Sequence, residues 1–144
     1  MEHKDTKAQN KMSREEYDSL QQLSNQIIGA AMEVHKVLGP GLLESVYEDC
    51  MMKELEAMGL NVKSQIELPL CYKGQPTGKT YRVDLLVNDK FLVELKSVEI
   101  MKPLHEVQLL TYMKLSNIHM GLLINFNVPL LREGIRRKIN GYVE

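Results

Sequence analysis

The stretch Arg82 to Lys96, RVDLLVNDKFLVELK, constrains the fold more than any other part of the chain. Two mostly apolar runs flank Asn88-Asp89 and read as strands joined by a turn. Strand side chains alternate between faces, so Glu94 and Lys96 share one face while Phe91, Val93 and Leu95 take the other. On the preceding strand Arg82, Asp84 and Leu86 likewise share a face. Where those two faces coincide, two carboxylates and an ammonium converge inside a half-buried sheet. Unpaired buried charge is costly, so such a cluster calls for a partner, often a metal ion.

The rest of the chain arranges itself around this hairpin. Its 144 residues suit one domain with one core. Residues 1–18 lack apolar periodicity and read as a flexible lead-in, which leaves 19–144 as a single domain. A helix is expected from near Leu20 or Ser24 to Leu38, with Ile27, Ala31, Val34 and Leu38 on its core face and Gly39-Pro40-Gly41 as its stop. A second helix runs from Leu42 to Met58. Strands follow over Val62–Tyr72, about Lys79–Val87 and Phe91–Val98, with 73–78 as a turn. Pro103 opens a helix that reaches Leu115, with Leu104, Val107, Leu110, Met113 and Leu115 as its apolar contacts. His119 to Phe126 reads as a buried strand, and the tail from Pro129 as a short helix or turn, then a weak strand. The order α-α-β-β-β-α-β predicts a mixed sheet flanked by helices.

Composition narrows the function classes. A formal net charge of -1 argues against tight, non-specific DNA binding, since that needs clustered Lys and Arg. It leaves room for a local basic groove. Cys50 and Cys71 stand far apart in no metal-like spacing, so neither a zinc site nor a disulfide framework is indicated. The polar start MEHKDTKAQN has no secretory apolar core, and no apolar run approaches a membrane span. A cytoplasmic protein without a membrane partner is expected.

Two readings of Asp84, Glu94 and Lys96 stand on spacing alone. A hard cation such as Mg²⁺ takes a few carboxylate oxygens and keeps several waters, so Asp84 and Glu94 could hold one against a phosphodiester. Lys96 would then orient a water or offset charge on the phosphate. Alternatively, the three form a solvated outer face with a cross-strand salt bridge. Gln108 and Tyr112, four residues apart on a helix, can serve one ligand. Arg132, Arg136, Arg137 and Lys138 could track phosphates or form a solvated face. Glu48, Asp49 and Glu56 read as helix surface.

Taken together, Gly41-Leu42-Leu43-Glu44, Asp84, Glu94-Leu95-Lys96 and Gln108 to Tyr112 resemble the PD-(D/E)XK nuclease superfamily. Within it they are similar to the RecB-like branch, whose signature runs GxxE, D, ExK, QxxxY. GPGLLESVYE, Gly39 to Glu48, is similar to the defining motif of the GxxExxY proteins, with Gly41, Glu44 and Tyr47 in the named positions. Val83 stands where the superfamily name has Pro. The resemblance runs from about Ile27 to Asn140.

It implies a restriction-endonuclease-like αβββαβ core with an extra N-terminal helix. It also implies a Mg²⁺- or Mn²⁺-dependent nuclease acting on phosphodiester bonds of DNA. Asp84 and Glu94 would be metal ligands together with the Leu95 carbonyl, Lys96 the catalytic lysine, and Glu44 a further ligand reaching in from its helix. Gln108 and Tyr112 would flank the site. His35 would join a Mn²⁺ shell on the pattern of some RecB-like enzymes; read from its residue type, it is a partly buried, hydrogen-bonded histidine. His105 could border the site. Tyr47 reads as a core residue with a polar tip.

Two other function classes fit the same scaffold. One is a non-catalytic nucleic-acid-binding or adaptor domain, which would bind in EDTA without forming products. The other is a subunit of a repair or defence complex. A chain this short cannot encircle a duplex, which leaves room for a homodimer or a larger complex.

Overall fold

The computed structural model describes residues 10–144. Its first strand, β1 (Lys11–Met12), pairs in parallel with β7 (Tyr142–Val143), and the Glu144 N–H donates to the Met12 carbonyl at 2.7 Å. This small second sheet ties the two ends of the described chain together.

Helix α1 spans Arg14–Leu38. Ser13 caps it by accepting the Glu16 N–H at 3.0 Å, and Glu15 and Glu16 lie at the positive end of the helix dipole. Leu20, Leu23, Ile27, Ala30, Ala31 and Val34 form its buried stripe. Gly39, at φ 69°, ends it in a backbone region that side chains disfavour. The helix thus begins well before Leu20. Its first turns are held by capping, so they leave no apolar period to read. Of the expected lead-in over 1–18, residues 1–9 lie outside the described residues, whereas 11–12 and 14–18 belong to β1 and α1. Helix α2 (Glu44–Ala57) follows and buries Tyr47, Met51 and Leu55.

Five strands form the main sheet in the order β2 (Val62–Tyr72), β3 (Gln75–Val87), β4 (Phe91–Lys96), β5 (Met120–Asn125) and β6 (Ile135–Ile139). The β4–β5 pair is parallel and the others antiparallel. A parallel pair needs a crossover, and α3 (Pro103–Ser116) supplies it. The sheet is therefore mixed and flanked by helices, a restriction-endonuclease-like arrangement. Its αβββαβ core runs from α2 to β5, and α1 is the extra N-terminal helix.

The two faces carry separate cores. Helices α1 and α2 pack on Leu85, Val87, Phe91, Val93, Leu95, Leu122 and Ile124. On the other face α3 sets Leu109 and Met113 against Leu92 and Leu123. Gly121 allows that approach, since an added Cβ would stand 3.0 Å from both the Leu92 carbonyl and the Met113 sulfur. Leu104, Val107 and Leu115, expected as core contacts, are instead exposed. A single helix on that face buries only the narrow stripe through Leu109 and Met113.

Two strand boundaries differ clearly from expectation, whereas the tail keeps the expected turn and strand. Lys73-Gly74 alone makes the β2–β3 turn, with φ of 50° and 78°, so β3 starts at Gln75. Strand β4 stops at Lys96, because Ser97 and Val98 bond to side chains of Glu44 and Asn125. The tail forms a 3-10 turn at Leu131–Gly134 and then β6, the edge of the main sheet.

Candidate active site

Strand β3 parts from β4 at one place. The ladder pairs Val87 with Phe91, Leu86 with Leu92 and Leu85 with Val93. Continued by one step, that register sets Asp84 opposite Glu94, yet there the side chains take over the backbone groups. The Asp84 N–H donates to Glu94 Oε1 at 3.1 Å, and the Leu95 N–H donates to Asp84 Oδ2 at 2.8 Å. The alternation of β3 also changes sides here. Leu85 and Val87 pack beneath α1 and α2, while Tyr81 and Val83, of the same parity, pack with α3. Asp84 sits in the fork so formed.

Glu94 is 6% exposed. Burial first, and the Asp84 charge second, push its carboxyl up to about 8, against a weaker opposing pull from Lys96. The fork therefore holds two acids that resist being ionised together. Lys96 follows on the same face of β4, in register with Asn125 of β5.

Glu44, at the start of α2, lies against the chain leaving β4. Its Oε2 accepts the Ser97 N–H at 3.3 Å, just after Lys96. The loop carrying it is held by Tyr47, which is fully buried. The Tyr47 hydroxyl donates to the Gly39 carbonyl at 2.6 Å and accepts the Leu42 N–H at 3.2 Å. Its ring stacks on Phe126 at 4.4 Å. Ser97 Oγ donates to the Leu42 carbonyl at 2.5 Å, which fastens the same loop to the end of β4. A depression of about 370 Å³ lies here, lined by Leu42, Leu43, Glu44, Ser45 and Ser97.

Glu48, read from sequence as helix surface, turns to the fork. Gln65 Nε2 donates to Glu48 Oε1 at 2.5 Å and faces Asp84 Oδ1 at 3.4 Å. Burial raises the Glu48 carboxyl, with Asp84 adding to the shift. Gln65 has φ of 51°, an unusual conformation within a strand, adopted opposite Asp84. The four-residue spacing of Glu44 and Glu48 was the signal available for this, since it puts both on one helix face. Gln65 and Ser97 left no such mark.

Tyr112 borders the fork from α3. Burial, then the charge of Glu94, raises its phenol. Gln108 Nε2 donates to its hydroxyl at 3.0 Å, and its ring stacks on Tyr81 at 4.8 Å. Asn125, buried and unremarked in the sequence, accepts the Val98 N–H and returns a bond to the Val98 carbonyl at 2.9 Å. It holds the chain leaving β4.

Other candidates are placed elsewhere. His35 Nε2 donates to the Val128 carbonyl at 2.9 Å, and its ring tilts against Phe126. That nitrogen is committed to a backbone oxygen, which is the hydrogen-bonded state its residue type favoured. His105 accepts the Lys102 N–H at 3.2 Å and closes the cap of α3. Arg136 is in register with Leu123, which is itself in register with Glu94, so the three share one face. At ~4.8 Å per strand, its backbone is ~10 Å from that of Glu94. Arg137 points to the opposite face, where it bonds Gln21 of α1. Lys138 pairs with Glu106 at 2.6 Å, and Arg132 is exposed.

Among the described residues no three His, Cys, Asp or Glu side chains are grouped as a ready metal-ligand set. The donors at the fork nonetheless suit a hard divalent cation, which needs only one or two carboxylates and completes its shell with water. Asp84 and Glu94 each commit one oxygen to a backbone N–H; the second oxygen of Asp84 takes only the long 3.4 Å contact from Gln65, which a cation could displace. A dication between them would offset the burial and the Asp84 charge that together raise the Glu94 carboxyl.

The family model described as the PD-(D/E)XK nuclease superfamily matches residues 21–138. No curated protein matches the chain. Among solved structures, the chain is similar to one described as "Crystal structure of SSO0001". The TM-score is 0.45 at 19% identity, over 94% of this chain and 69% of that one. Among the described residues no helix is long and apolar enough to cross a membrane.

Proposed function

The chain belongs to the PD-(D/E)XK nuclease superfamily, and on that premise we propose that it is a divalent-metal-dependent nuclease hydrolysing phosphodiester bonds of DNA. Within the superfamily we assign it to the RecB-like branch and the GxxExxY proteins, on Gly41, Glu44 and Tyr47 together with Gln108 and Tyr112. The observation that carries the reading is the fork at Asp84 and Glu94. There, two carboxylates replace a pair of ladder bonds and stand together with one of them buried.

In this reading Asp84, Glu94 and the Leu95 carbonyl hold Mg²⁺ or Mn²⁺, with Glu44 as a further ligand from α2. The bound ion would supply an acidified water and draw charge from the phosphate. Lys96, on the Glu94 face of β4, offsets the negative charge that builds on the phosphate during attack. Tyr112 already accepts a bond from Gln108, so its own O–H is oriented and free to donate to a phosphate oxygen. Arg136, on the same face, holds a neighbouring phosphate. Tyr47 and Ser97 act indirectly, by holding the loop that delivers Glu44.

The test is cleavage of a mixed panel of single- and double-stranded DNA with Mg²⁺ or Mn²⁺. Wild type should form products that EDTA abolishes. Asp84→Ala and Lys96→Ala should remain folded and inactive. Cleavage surviving both substitutions would remove the site assignment.

A further inference from the structure

The β2–β3 hairpin is far longer than the sheet needs. Its ladder runs from Val62–Val87 to Tyr72–Gln75, whereas β4 pairs with β3 from Leu85 to Val87. Because β3 and β4 are antiparallel, the part of β3 before Asp84 runs on past the end of β4 that carries Glu94 and Lys96. Because β3 bulges between Pro76 and Thr80, the length is set by β2: from Gln65, opposite Asp84, to Tyr72, opposite Gln75, the arm extends ~23 Å at ~3.3 Å per residue. The base of this arm is anchored: Ile66, Leu68, Leu70, Tyr81 and Val83 pack with the cluster under α3. From Cys71 to Thr80 every residue is exposed.

The arm differs in charge from the molecule. Between Ile66 and Val83 it carries Lys73, Lys79 and Arg82 against Glu67 alone, in a chain of net charge -1. Arg82 is two residues from Asp84, ~7 Å along the strand, which is about one nucleotide step. At the tip Tyr72 is 67% exposed, with the Lys73 ammonium 5.5 Å from its ring centroid. A solvent-facing aromatic beside cations is the pairing that holds single-stranded nucleic acid, by stacking a base and tracking its phosphates.

We propose that this arm holds a single-stranded segment of the substrate leading away from the carboxylate fork. Arg82, Lys79 and Lys73 contact its phosphates and Tyr72 stacks on a base. The proposal rests on the nuclease reading and adds a strand preference to it.

The test is fluorescence anisotropy with a labelled single strand of about 20 nucleotides, longer than the footprint of one such module, and with the matching duplex. The full chain carries Asp84→Asn in EDTA, so that no turnover occurs. Adding Tyr72→Ala should weaken single-strand binding about five- to a hundredfold, the range for losing one base stack, and leave the duplex little changed. Adding Lys73→Glu with Lys79→Glu should weaken binding and flatten its salt dependence by about 1.4 log units per log unit of salt, as for two lost phosphate contacts. Unchanged single-strand affinity in both variants would overturn the arm's role and leave the nuclease reading standing. An equal loss on both substrates with Tyr72→Ala would overturn the strand preference. No binding of either substrate by the parent chain would overturn the arm's role and leave the nuclease reading to the cleavage test.

Discussion

The backbone N–H of Asp84 donates to the Glu94 carboxylate at 3.1 Å, across the point where the β3–β4 ladder gives way. A side chain thus does the work of a strand partner, and the two acids of the fork are fixed against each other before any ligand arrives. Ordinary sheet pairing would have closed this gap with carbonyls.

That arrangement sets a pH dependence. The Glu94 carboxyl is raised from 4.5 to about 8, so the folded chain holds this proton more tightly than the unfolded one. The associated stability is complete below pH 4.5 and is lost as pH rises through about 8. In metal-free buffer, thermal or urea denaturation should show stability falling over this window, by at most about 1.4 kcal/mol per pH unit. Glu94→Gln should flatten that slope, and Mn²⁺ should oppose it in wild type alone.

Tyr47 links stability to the site. Tyr47→Phe keeps the stack on Phe126 but removes the bonds to Gly39 and Leu42. Urea denaturation should show a loss of about 1–3 kcal/mol, as expected when buried polar groups lose a partner. Activity should fall further than stability explains, because the loop that presents Glu44 is released.

Gln65 positions Asp84 from behind. Gln65→Ala should weaken Mn²⁺ binding by about 10- to 100-fold, the usual effect of losing a group that orients a metal ligand. Circular dichroism should be unchanged, since Gln65 is exposed. Metal affinity equal to wild type would show that Gln65 serves the strand bend alone.

Arg136 and Arg137 are neighbours with opposite expectations. Arg136→Ala should weaken DNA binding and lower its salt slope by about 0.7–0.9, as for one phosphate contact. Arg137→Ala should leave both unchanged, because its side chain lies across the sheet against Gln21.

Much of this was legible in the sequence because strand alternation is a strict two-residue period. Asn88-Asp89 is the turn expected, with φ of 52° and 56°, and the register it sets brings Asp84 to Glu94. Helix spacing likewise marked Ile27, Ala31 and Val34 on the buried face of α1. What escaped notice depends on contacts between distant segments. Gln65 and Ser97 are ordinary polar residues until folding places them beside Glu48, Asp84 and the Leu42 carbonyl. Asn125 was hidden in an apolar run. Arg136 and Arg137 could be told apart only after β6 had a register against β5. His35 showed its residue type but not the Val128 carbonyl, which lies 93 residues away in sequence.

The most direct measurement is calorimetric titration of Mn²⁺ into wild type and Asp84→Ala side by side. Wild type should give a binding isotherm that disappears in the variant, with the variant still folded by circular dichroism. Equal binding by both proteins would contradict this, because the cation would then sit somewhere other than the fork between Asp84 and Glu94.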